Sequence, residues 1–237
     1  MKAMILAAGR GTRMAPLTDH CPKPLLPLAG KPLIVHHIEK LVAAGITDIV
    51  INHAWLGAQI ETTLGDGSRY GARLQYSPES QALETGGGIL QALPLLGSEP
   101  FFLVNGDVWT GWDYQGVSDI QLGDDLGWLW LVQNPDHNPS GDFILQQGRV
   151  LNPATVGPEL ELPRLTFSGL SVLHPQLLAG CEPGAFPLAP LLRRAMDHQR
   201  MAGALLEQPW VDVGTPQRLQ QLEQYLQHQQ QGQGLSL

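Results

Sequence analysis

A glycine pair and two basic residues near the start of the chain could bind phosphate groups. Gly9 and Gly11 directly follow an apolar run, and Arg13 comes two residues after them. Lys23 stands between two prolines ten residues further on. Glycines can turn backbone N–H groups toward an anion because no Cβ lies in the way, and the basic side chains add positive charge. The pattern predicts a phosphate-binding loop at the end of a buried strand.

Two common phosphate-binding loops do not fit this pattern. A Walker loop requires Lys-Ser or Lys-Thr after its glycines, and neither follows these two. A dinucleotide-binding loop requires a third glycine three residues after Gly11, where the chain has Met14. An ordinary glycine-rich turn between a strand and a helix remains the alternative to a dedicated phosphate site.

Two aspartates later in the chain could supply a metal site. Asp107 ends the string Asn-Gly-Asp after an apolar stretch, and Asp212 lies in Trp-Val-Asp-Val-Gly-Thr-Pro before the last helical segment. Magnesium prefers oxygen ligands and often takes one or two carboxylates together with phosphate oxygens. The pair therefore predicts a Mg²⁺ site, and the alternative is that Asp107 caps a loop and Asp212 caps a helix.

The elements that must position these residues alternate between strand and helix. An amphipathic pattern predicts a helix from Leu33 to Gly45, and Asp48–Asn52 is predicted as a strand. This alternation predicts an α/β fold with a doubly wound, mostly parallel sheet, to which a hairpin over 143–151 adds a small antiparallel β insertion. The other predicted elements are helices over 56–64, 89–93, 187–201 and 216–231 and strands over 72–77, 101–105, 126–132 and 165–173.

Composition limits the class of protein. The chain has 237 residues, of which 43% are hydrophobic, and a net charge of −8. This length suits one large domain, predicted over residues 1–227, followed by a frayed Gln/Gly-rich tail over 228–237. The acidic balance argues against a nucleic-acid partner and against an anionic membrane surface. Two distant cysteines fit a reducing cytoplasm, and the first apolar run is too short for a signal peptide or a membrane span.

Two long strings resemble a known family. The strings Leu-Ala-Ala-Gly-Arg-Gly-Thr-Arg-Met and Pro-Lys-Pro-Leu-Leu-Pro-Leu resemble the signature of the sugar-1-phosphate nucleotidyltransferases, which make nucleotide sugars. The resemblance implies a Rossmann-like nucleotidyltransferase fold, in which the antiparallel insertion serves the sugar. It implies that Arg13 and Lys23 are catalytic and that Asp107 and Asp212 hold Mg²⁺. The nucleotide-binding residues that it implies are Ala8, Gly9, Gly11, Thr12, Arg13, Lys23, Glu79, Gly86 and Gly87.

A second group of residues resembles one branch of this family. Members that make GDP-mannose commonly have Gly-Thr-Ala-Gly where this chain has Glu-Thr-Gly-Gly-Gly at 84–88. Together with Asn134-Pro135 and Gly141-Asp142-Phe143, the 84–88 segment is similar to the N-acetylmuramate-1-phosphate uridylyltransferases of cell-wall recycling. This implies UTP and a sugar 1-phosphate as substrates. Alternatively, the glycines at 86–88 only permit tight helix packing.

Other functions stay open at the level of sequence. A mannose-1-phosphate guanylyltransferase, or another sugar-1-phosphate enzyme, would use the same site. A nucleotide-sugar sensor would not need Arg13, Lys23 and both aspartates, yet all four are present. A dehydrogenase-type dinucleotide binder is disfavoured by Met14. The chain ends without the extension that often makes relatives oligomerise, so a monomer or small homo-oligomer is expected.

The sugar contacts depend on fewer residues. The substrate-binding residues expected from the resemblance are Asn105, Gly141, Asp142, Gly169 and Glu207. Many relatives carry a lysine after the hairpin, where this chain has Asn152-Pro153-Ala154. His53 and His137 could be considered as bases, but a single histidine near a strand end is more often structural.

Overall fold

The computed structural model describes residues 1–156, 162–230 and 232. Its helices are α1 (Leu33–Ala43), α2 (Gly57–Leu64), α3 (Glu84–Leu96), α4 (Ala189–Asp197) and α5 (Pro216–Gln230). Its strands are β1 (Lys2–Leu6), β2 (Pro27–Leu28), β3 (Lys31–Pro32), β4 (Asp48–His53), β5 (Arg73–Pro78), β6 (Phe101–Asn105), β7 (Val108–Thr110), β8 (Gly127–Val132), β9 (Phe143–Gln146), β10 (Arg149–Leu151), β11 (Arg164–Leu173), β12 (Met201–Leu205) and β13 (Trp210–Asp212).

The first half of the chain forms a parallel sheet with a helix layer on each face. Strands β5, β4, β1 and β6 are neighbours in that order, and each adjacent pair is parallel. Successive β1 side chains point to opposite faces, as in any strand. Ile5 packs in the same apolar cluster as Ile38 of α1, and Met4 packs in the same cluster as Ile89 of α3. The predicted α/β fold with a doubly wound sheet is confirmed.

The second half extends this sheet with mixed pairing. Strand β11 runs antiparallel to both β6 and β8, and β12 runs parallel to β8. The predicted hairpin is β9–β10, and it lies at the far edge of the same nine-stranded sheet. The antiparallel part is therefore continuous with the parallel part, so both halves share one layer of strands.

A separate two-stranded ladder joins distant parts of the chain. Strand β13 pairs antiparallel with β7, with Asp212 opposite Val108. The backbone N–H of Val213 also donates to the carbonyl of Asp107 over 2.8 Å. Helix α5 follows, and Leu222 packs in a cluster with Trp109 and Val213. The ladder thus brings the Asn-Gly-Asp string next to the Trp-Val-Asp string.

Two predicted helices have different limits in the structure. Helix α3 begins at Glu84, includes all three glycines and continues past Pro94 to Leu96. The helix predicted over 187–201 ends at Asp197, because Gln199 takes a left-handed φ of 56° and Met201 then begins β12. No described helix is both long and apolar enough to cross a membrane. Helix α5 reaches Gln230, and the predicted tail at 231 and 233–237 lies outside the described residues.

Candidate active site

A cleft of about 390 Å³ opens at the carboxyl ends of β1, β4 and β6. Ligands in open α/β sheets bind at this edge, because loops after neighbouring parallel strands meet there. Nine of the residues predicted for the site line it: Ala8, Gly9, Gly11, Thr12, Arg13, Lys23, Glu79, Asn105 and Asp107. Residues of the glycine-containing string and of the Pro-Lys-Pro string thus meet in one cleft.

The glycine loop has a backbone that requires glycine at one position. Gly11 has a φ of 66°, and a Cβ there would lie 3.2 Å from the Cβ of Lys23. The Gly11 carbonyl accepts from the Met14 amide and from the Thr18 hydroxyl, each over 2.8 Å. Arg13 is exposed at the cleft wall and makes no ion pair with any described residue. Its guanidinium can therefore bind an anion without first breaking a contact.

Lys23 and Asp107 form an ion pair inside the cleft. The Lys23 ammonium lies 2.8 Å from Oδ2 of Asp107. The lysine side chain is 8% exposed, whereas the aspartate side chain is 43% exposed. A buried ammonium needs an anionic partner. The pair thus holds Lys23 beside an acidic group that remains open to the cleft.

The second aspartate stands next to this pair but beyond the residues that line the cleft. Oδ2 of Asp212 lies 3.2 Å from a guanidinium nitrogen of Arg218 and 3.2 Å from Nε2 of His137. Oδ1 is buried and has no hydrogen-bond partner among the described residues. Gly214, two residues on, lines the cleft itself. The contact between His137 and Asp212 could not be predicted from the sequence, because the two residues are 75 positions apart in the chain.

A buried network that the sequence did not predict supports the loop before α3. Asn52 is 2% exposed; its Oδ1 accepts from the Ala7 amide over 2.9 Å, and its Nδ2 donates to Oε1 of Glu79 over 2.7 Å. Oε2 of Glu79 accepts from the Leu83 amide over 2.9 Å. Both carboxylate oxygens of Glu79 therefore accept hydrogen bonds from other groups of the protein. The one available sequence signal is that Asn52 ends the strand predicted over 48–52, which lies beside β1 as β4.

Gly86 and Gly87 are placed against protein rather than at the cleft lining. Their amides both donate to the carbonyl of Phe186, over 2.9 and 3.2 Å. A Cβ on Gly86 would overlap the Phe186 ring, and a Cβ on Gly87 would overlap the carbonyl oxygen of Gly184. The glycines let the 184–186 segment pack on the first turn of α3, which shapes the Leu83–Thr85 side of the cleft.

Asn105 and Gly169 lie together beside the cleft. A Cβ on Gly169, whose φ is 78°, would come within 2.8 Å of the Cβ of Asn105. The Asn105 side chain makes no hydrogen bond with any described residue, although it lines the cleft next to Asp107. Gly169 falls in the irregular stretch of β11 between Phe167 and Ser171. The irregularity lets β11 approach the end of β6 closely.

Gly141 and Asp142 lie in a loop that is fixed to β11, and Glu207 lies elsewhere on the surface. Oδ1 of Asp142 accepts from Asn138 over 3.2 Å, and Oδ2 accepts from the Phe167 amide over 2.8 Å. Gly141 has a φ of 61° and packs against Asn134 and Arg164. Glu207 is exposed and does not line the cleft.

Comparison with known proteins agrees with this arrangement. The profile of the family described as Nucleotidyl transferase matches residues 2–122. The chain belongs to this family. It is 52% identical to the N-acetylmuramate alpha-1-phosphate uridylyltransferase of Neisseria meningitidis serogroup B, over 94% of this chain and 97% of the relative. It is 35% identical to the enzyme of that name from Caulobacter vibrioides, over 91% of this chain and 92% of the relative.

A solved structure shares the fold of this nucleotidyltransferase. The crystal structure of a putative glucose-1-phosphate thymidylyltransferase from Bacillus anthracis in complex with a sucrose superposes with a TM-score of 0.82. The match covers 94% of each chain at 20% identity. Members of the family act on a nucleoside triphosphate and a sugar phosphate and typically use a divalent metal ion.

The residues of this nucleotidyltransferase fit a divalent cation. Oδ1 of Asp212 is a buried carboxylate oxygen that lacks a partner, and Asp107 presents a part-exposed carboxylate to the cleft. Among the described residues, no group of three or more His, Cys, Asp or Glu could hold a metal ion. Two carboxylates are enough for Mg²⁺ when substrate phosphates supply further oxygens.

Helix α1 supports the strand that follows Asp107. A ring nitrogen of His37 lies 2.8 Å from the Val108 carbonyl and the other lies 2.6 Å from the Tyr114 hydroxyl, while Lys40 bonds the Thr110 carbonyl. Burial lowers the pKa of His37 to about 3 and raises the pKa of Tyr114. The neutral His37 ring therefore donates to the carbonyl and accepts from the hydroxyl, which fixes β7.

Proposed function

We propose that this nucleotidyltransferase transfers UMP from UTP to N-acetylmuramic acid 1-phosphate. The products are UDP-N-acetylmuramic acid and pyrophosphate. The observation that carries the proposal is the identity of 52% to the Neisseria uridylyltransferase along nearly the whole of both chains. The cleft supports it, because phosphate-binding groups and the Asp107 carboxylate line it, and Asp212 lies two residues before Gly214 of the lining.

The reaction needs no nucleophile from the protein. A sugar 1-phosphate is mostly a dianion at neutral pH, since its second pKa is about 6. One of its oxygens attacks the α-phosphorus of UTP, the bond to the β-phosphate oxygen breaks, and pyrophosphate leaves with the electron pair. The protein contributes by holding the reactants in line and by stabilising negative charge.

The charged groups of the cleft take separate parts of the triphosphate. Arg13, with the amides of Gly11 and Thr12, holds the β- and γ-phosphates that leave. Lys23 turns from Asp107 to the α-phosphate, which places its charge where negative charge is transferred. Asp107 and Asp212 hold Mg²⁺. A divalent cation held there would supply positive charge to stabilise the phosphates.

The nucleoside and the sugar occupy opposite ends of the cleft in this proposal. The backbone of Ala8 and Gly9 and the Leu83–Thr85 segment contact the base and ribose. Glu79 acts through Asn52 and the Leu83 amide, and Gly86 and Gly87 act by shaping that segment.

On the sugar side, Asn105 has an unused amide group beside Asp107. We assign it to the sugar 1-phosphate. Gly169 gives Asn105 its position, and Gly141 and Asp142 form the neighbouring loop. Glu207, which lies outside the lining of the cleft, stays a prediction as a sugar contact.

The proposed setting follows from the substrates. UTP and a muramyl phosphate place the enzyme in the cytoplasm, in the recycling of peptidoglycan. Cys21 and Cys181 are both unpaired, which fits a reducing compartment. We further propose a single nucleotidyltransferase domain over 1–227 that works as a monomer or small homo-oligomer.

A matrix assay tests the substrate assignment. The purified chain is incubated with MgCl₂ and each of UTP, GTP, CTP, dTTP and ATP, against the 1-phosphates of N-acetylmuramic acid, N-acetylglucosamine, glucose and mannose. Pyrophosphate release is measured. Release with UTP and the muramyl phosphate is expected. Preference for GTP and mannose 1-phosphate would make the chain a guanylyltransferase, and no release in any combination would favour a nucleotide-sugar sensor.

A further inference from the structure

Two side chains from different parts of the chain hold the same oxygen of Asp212. Arg218 reaches it from the first turn of α5, and His137 reaches it from the loop after β8. Both contacts are made to Oδ2 over 3.2 Å, and Oδ1 is left buried without a partner among the described residues. An unpaired buried carboxylate oxygen is costly, so this asymmetry needs a reason.

The loop that carries His137 is built to hold it in place. The Asn138 amide donates to Asp142 over 3.2 Å and to the Thr166 hydroxyl over 3.1 Å. The Thr166 hydroxyl donates in turn to Asn134 over 2.9 Å. These bonds fix the residues on both sides of His137 to β11. The ring therefore reaches Asp212 from a rigid support and not from a free loop.

The unpaired oxygen faces a position where a side chain is missing. Gly214 lines the cleft, and a Cβ on Gly214 would lie 2.9 Å from Oδ1 of Asp212 and would overlap a guanidinium nitrogen of Arg218. The absence of a side chain at Gly214 thus lets the Arg218 guanidinium and Oδ1 of Asp212 lie close to the backbone that lines the cleft. Among the described residues, Oδ1 carries no hydrogen bond that a bound cation would have to replace.

We propose that His137 is a positioning residue for the metal site: with Arg218 it occupies Oδ2 of Asp212, so that Oδ1 is the oxygen that binds the divalent cation. The inference rests on the proposed function for the presence of that cation. Groups that hydrogen-bond a metal-binding carboxylate orient it, and their loss typically costs about 10–100-fold in metal affinity. Because His137 stands in the loop of Gly141 and Asp142, it also links the sugar side of the cleft to the metal side.

Binding of Mn²⁺, a paramagnetic substitute for Mg²⁺, tests the inference independently of turnover. Electron paramagnetic resonance titrations with MnCl₂, alone and with α,β-methylene-UTP, compare the wild type with His137→Ala and His137→Gln. His137→Ala should raise the Kd for Mn²⁺ about tenfold or more. His137→Gln should restore affinity to within about threefold, because its amide nitrogen can reach the position of Nε2. His198→Ala is the matched control, because the only hydrogen-bond partner of the His198 ring among the described residues is the Arg194 carbonyl in the last turn of α4.

The outcomes separate this inference from the proposed function. Unchanged Mn²⁺ affinity in His137→Ala, equal weakness in the Ala and Gln variants, or no Mn²⁺ binding by the wild type would each overturn the positioning role. The matrix assay alone decides the substrates. If the Mn²⁺ affinity depends on His137 but the wild type does not react with UTP and the muramyl phosphate, the proposed function is refuted and the inference stands.

Discussion

At the scale of single residues, the cleft contains one cation that is already paired and one that is open. Lys23 is buried and bonds Asp107, whereas Arg13 is exposed and has no anionic partner among the described residues. The difference in pairing between Lys23 and Arg13 suits two different roles in phosphate binding. A lysine that pairs with an acidic group can move its ammonium from that group to a phosphate. An arginine without an anionic partner can bind the leaving pyrophosphate directly.

Replacing either cation should reduce turnover with the fold intact. We expect Arg13→Ala and Lys23→Ala each to lower kcat/KM by about 10²–10³, as is typical when one electrostatic contact to the transition state is lost. Steady-state kinetics with UTP and the muramyl phosphate measure the effect, and thermal unfolding checks the fold. Arg73→Ala is the matched control, since Arg73 pairs on the surface with Asp48. Near-normal kcat/KM in a cleft variant would remove that residue from the proposed mechanism.

The residues that the sequence predicted are those carried by continuous strings. The Gly-Arg-Gly-Thr-Arg string and the Pro-Lys-Pro string specify their loop locally, so five predicted residues reach one cleft: Gly9, Gly11, Thr12, Arg13 and Lys23. The contacts that Asn52 and His137 make in the structure could not be predicted from the sequence. Each depends on a partner 27 or more residues away, and such contacts arise only when the strands are assembled.

At the scale of elements, the first turn of α3 depends on a neighbouring segment. The Phe186 carbonyl satisfies two of the amides that a helix start leaves unpaired. The glycines of this turn were predicted both as nucleotide contacts and, alternatively, as sites of tight packing. The observed contacts of Gly86 and Gly87 are packing contacts, and their contact with nucleotide stays a prediction.

A side chain at Gly87 should therefore disturb both stability and nucleotide binding. Gly87→Ala places a Cβ on the Gly184 carbonyl, which is backbone and cannot rotate away. We expect the free energy of unfolding to fall by about 1–3 kcal/mol, as for other overpacked sites, and the KM for UTP to rise. Urea denaturation and kinetics measure the two effects. For stability the control is Gly9→Ala, since no atom lies within 4 Å of a Cβ there. A Gly87→Ala protein as stable as Gly9→Ala would contradict the packing role.

Periodicity predicted the long elements and missed the short ones. The strand predicted over 101–105 is β6, and the helix predicted from Leu33 is α1. Strands β7 and β13 have three residues each, too few for an alternating pattern to be visible. Strand β12 was not predicted, and its first residue, Met201, was taken as the end of a helix, because Met-Ala-Gly-Ala-Leu has no strong strand pattern until it pairs with β8.

At the scale of the whole molecule, the site needs both halves of the sheet and both ends of the chain. Strands β1, β4 and β6 supply the phosphate loop and Asp107, and the β7–β13 ladder adds Asp212 from the C-terminal part. Helix α1 supports this ladder through the buried ring of His37. Folding stability and the geometry of the aspartates are thereby linked.

Global stability should depend on pH through His37. The folded pKa is about 3 against an ordinary value of 6.5, so between these values the unfolded chain binds a proton that the folded protein does not. Stability from this group is thus lost as the pH falls through that window. From pH 7 to pH 5 the free energy of unfolding should drop by about 2 kcal/mol more in the wild type than in His37→Gln, at about 1.4 kcal/mol per pH unit. Urea denaturation at both pH values measures this difference, and the same drop in both proteins would contradict it.

The transfer of labelled UMP tests the central claim most directly. The purified chain is incubated with UTP labelled with ³²P at the α-phosphate, N-acetylmuramic acid 1-phosphate and MgCl₂, and the products are separated by chromatography. We predict that the label moves to UDP-N-acetylmuramic acid, that unlabelled pyrophosphate appears in equal amount, and that excess EDTA abolishes both. Label that stays in UTP, or that appears only in free UMP, would contradict the claim that this cleft joins UMP to the muramyl phosphate.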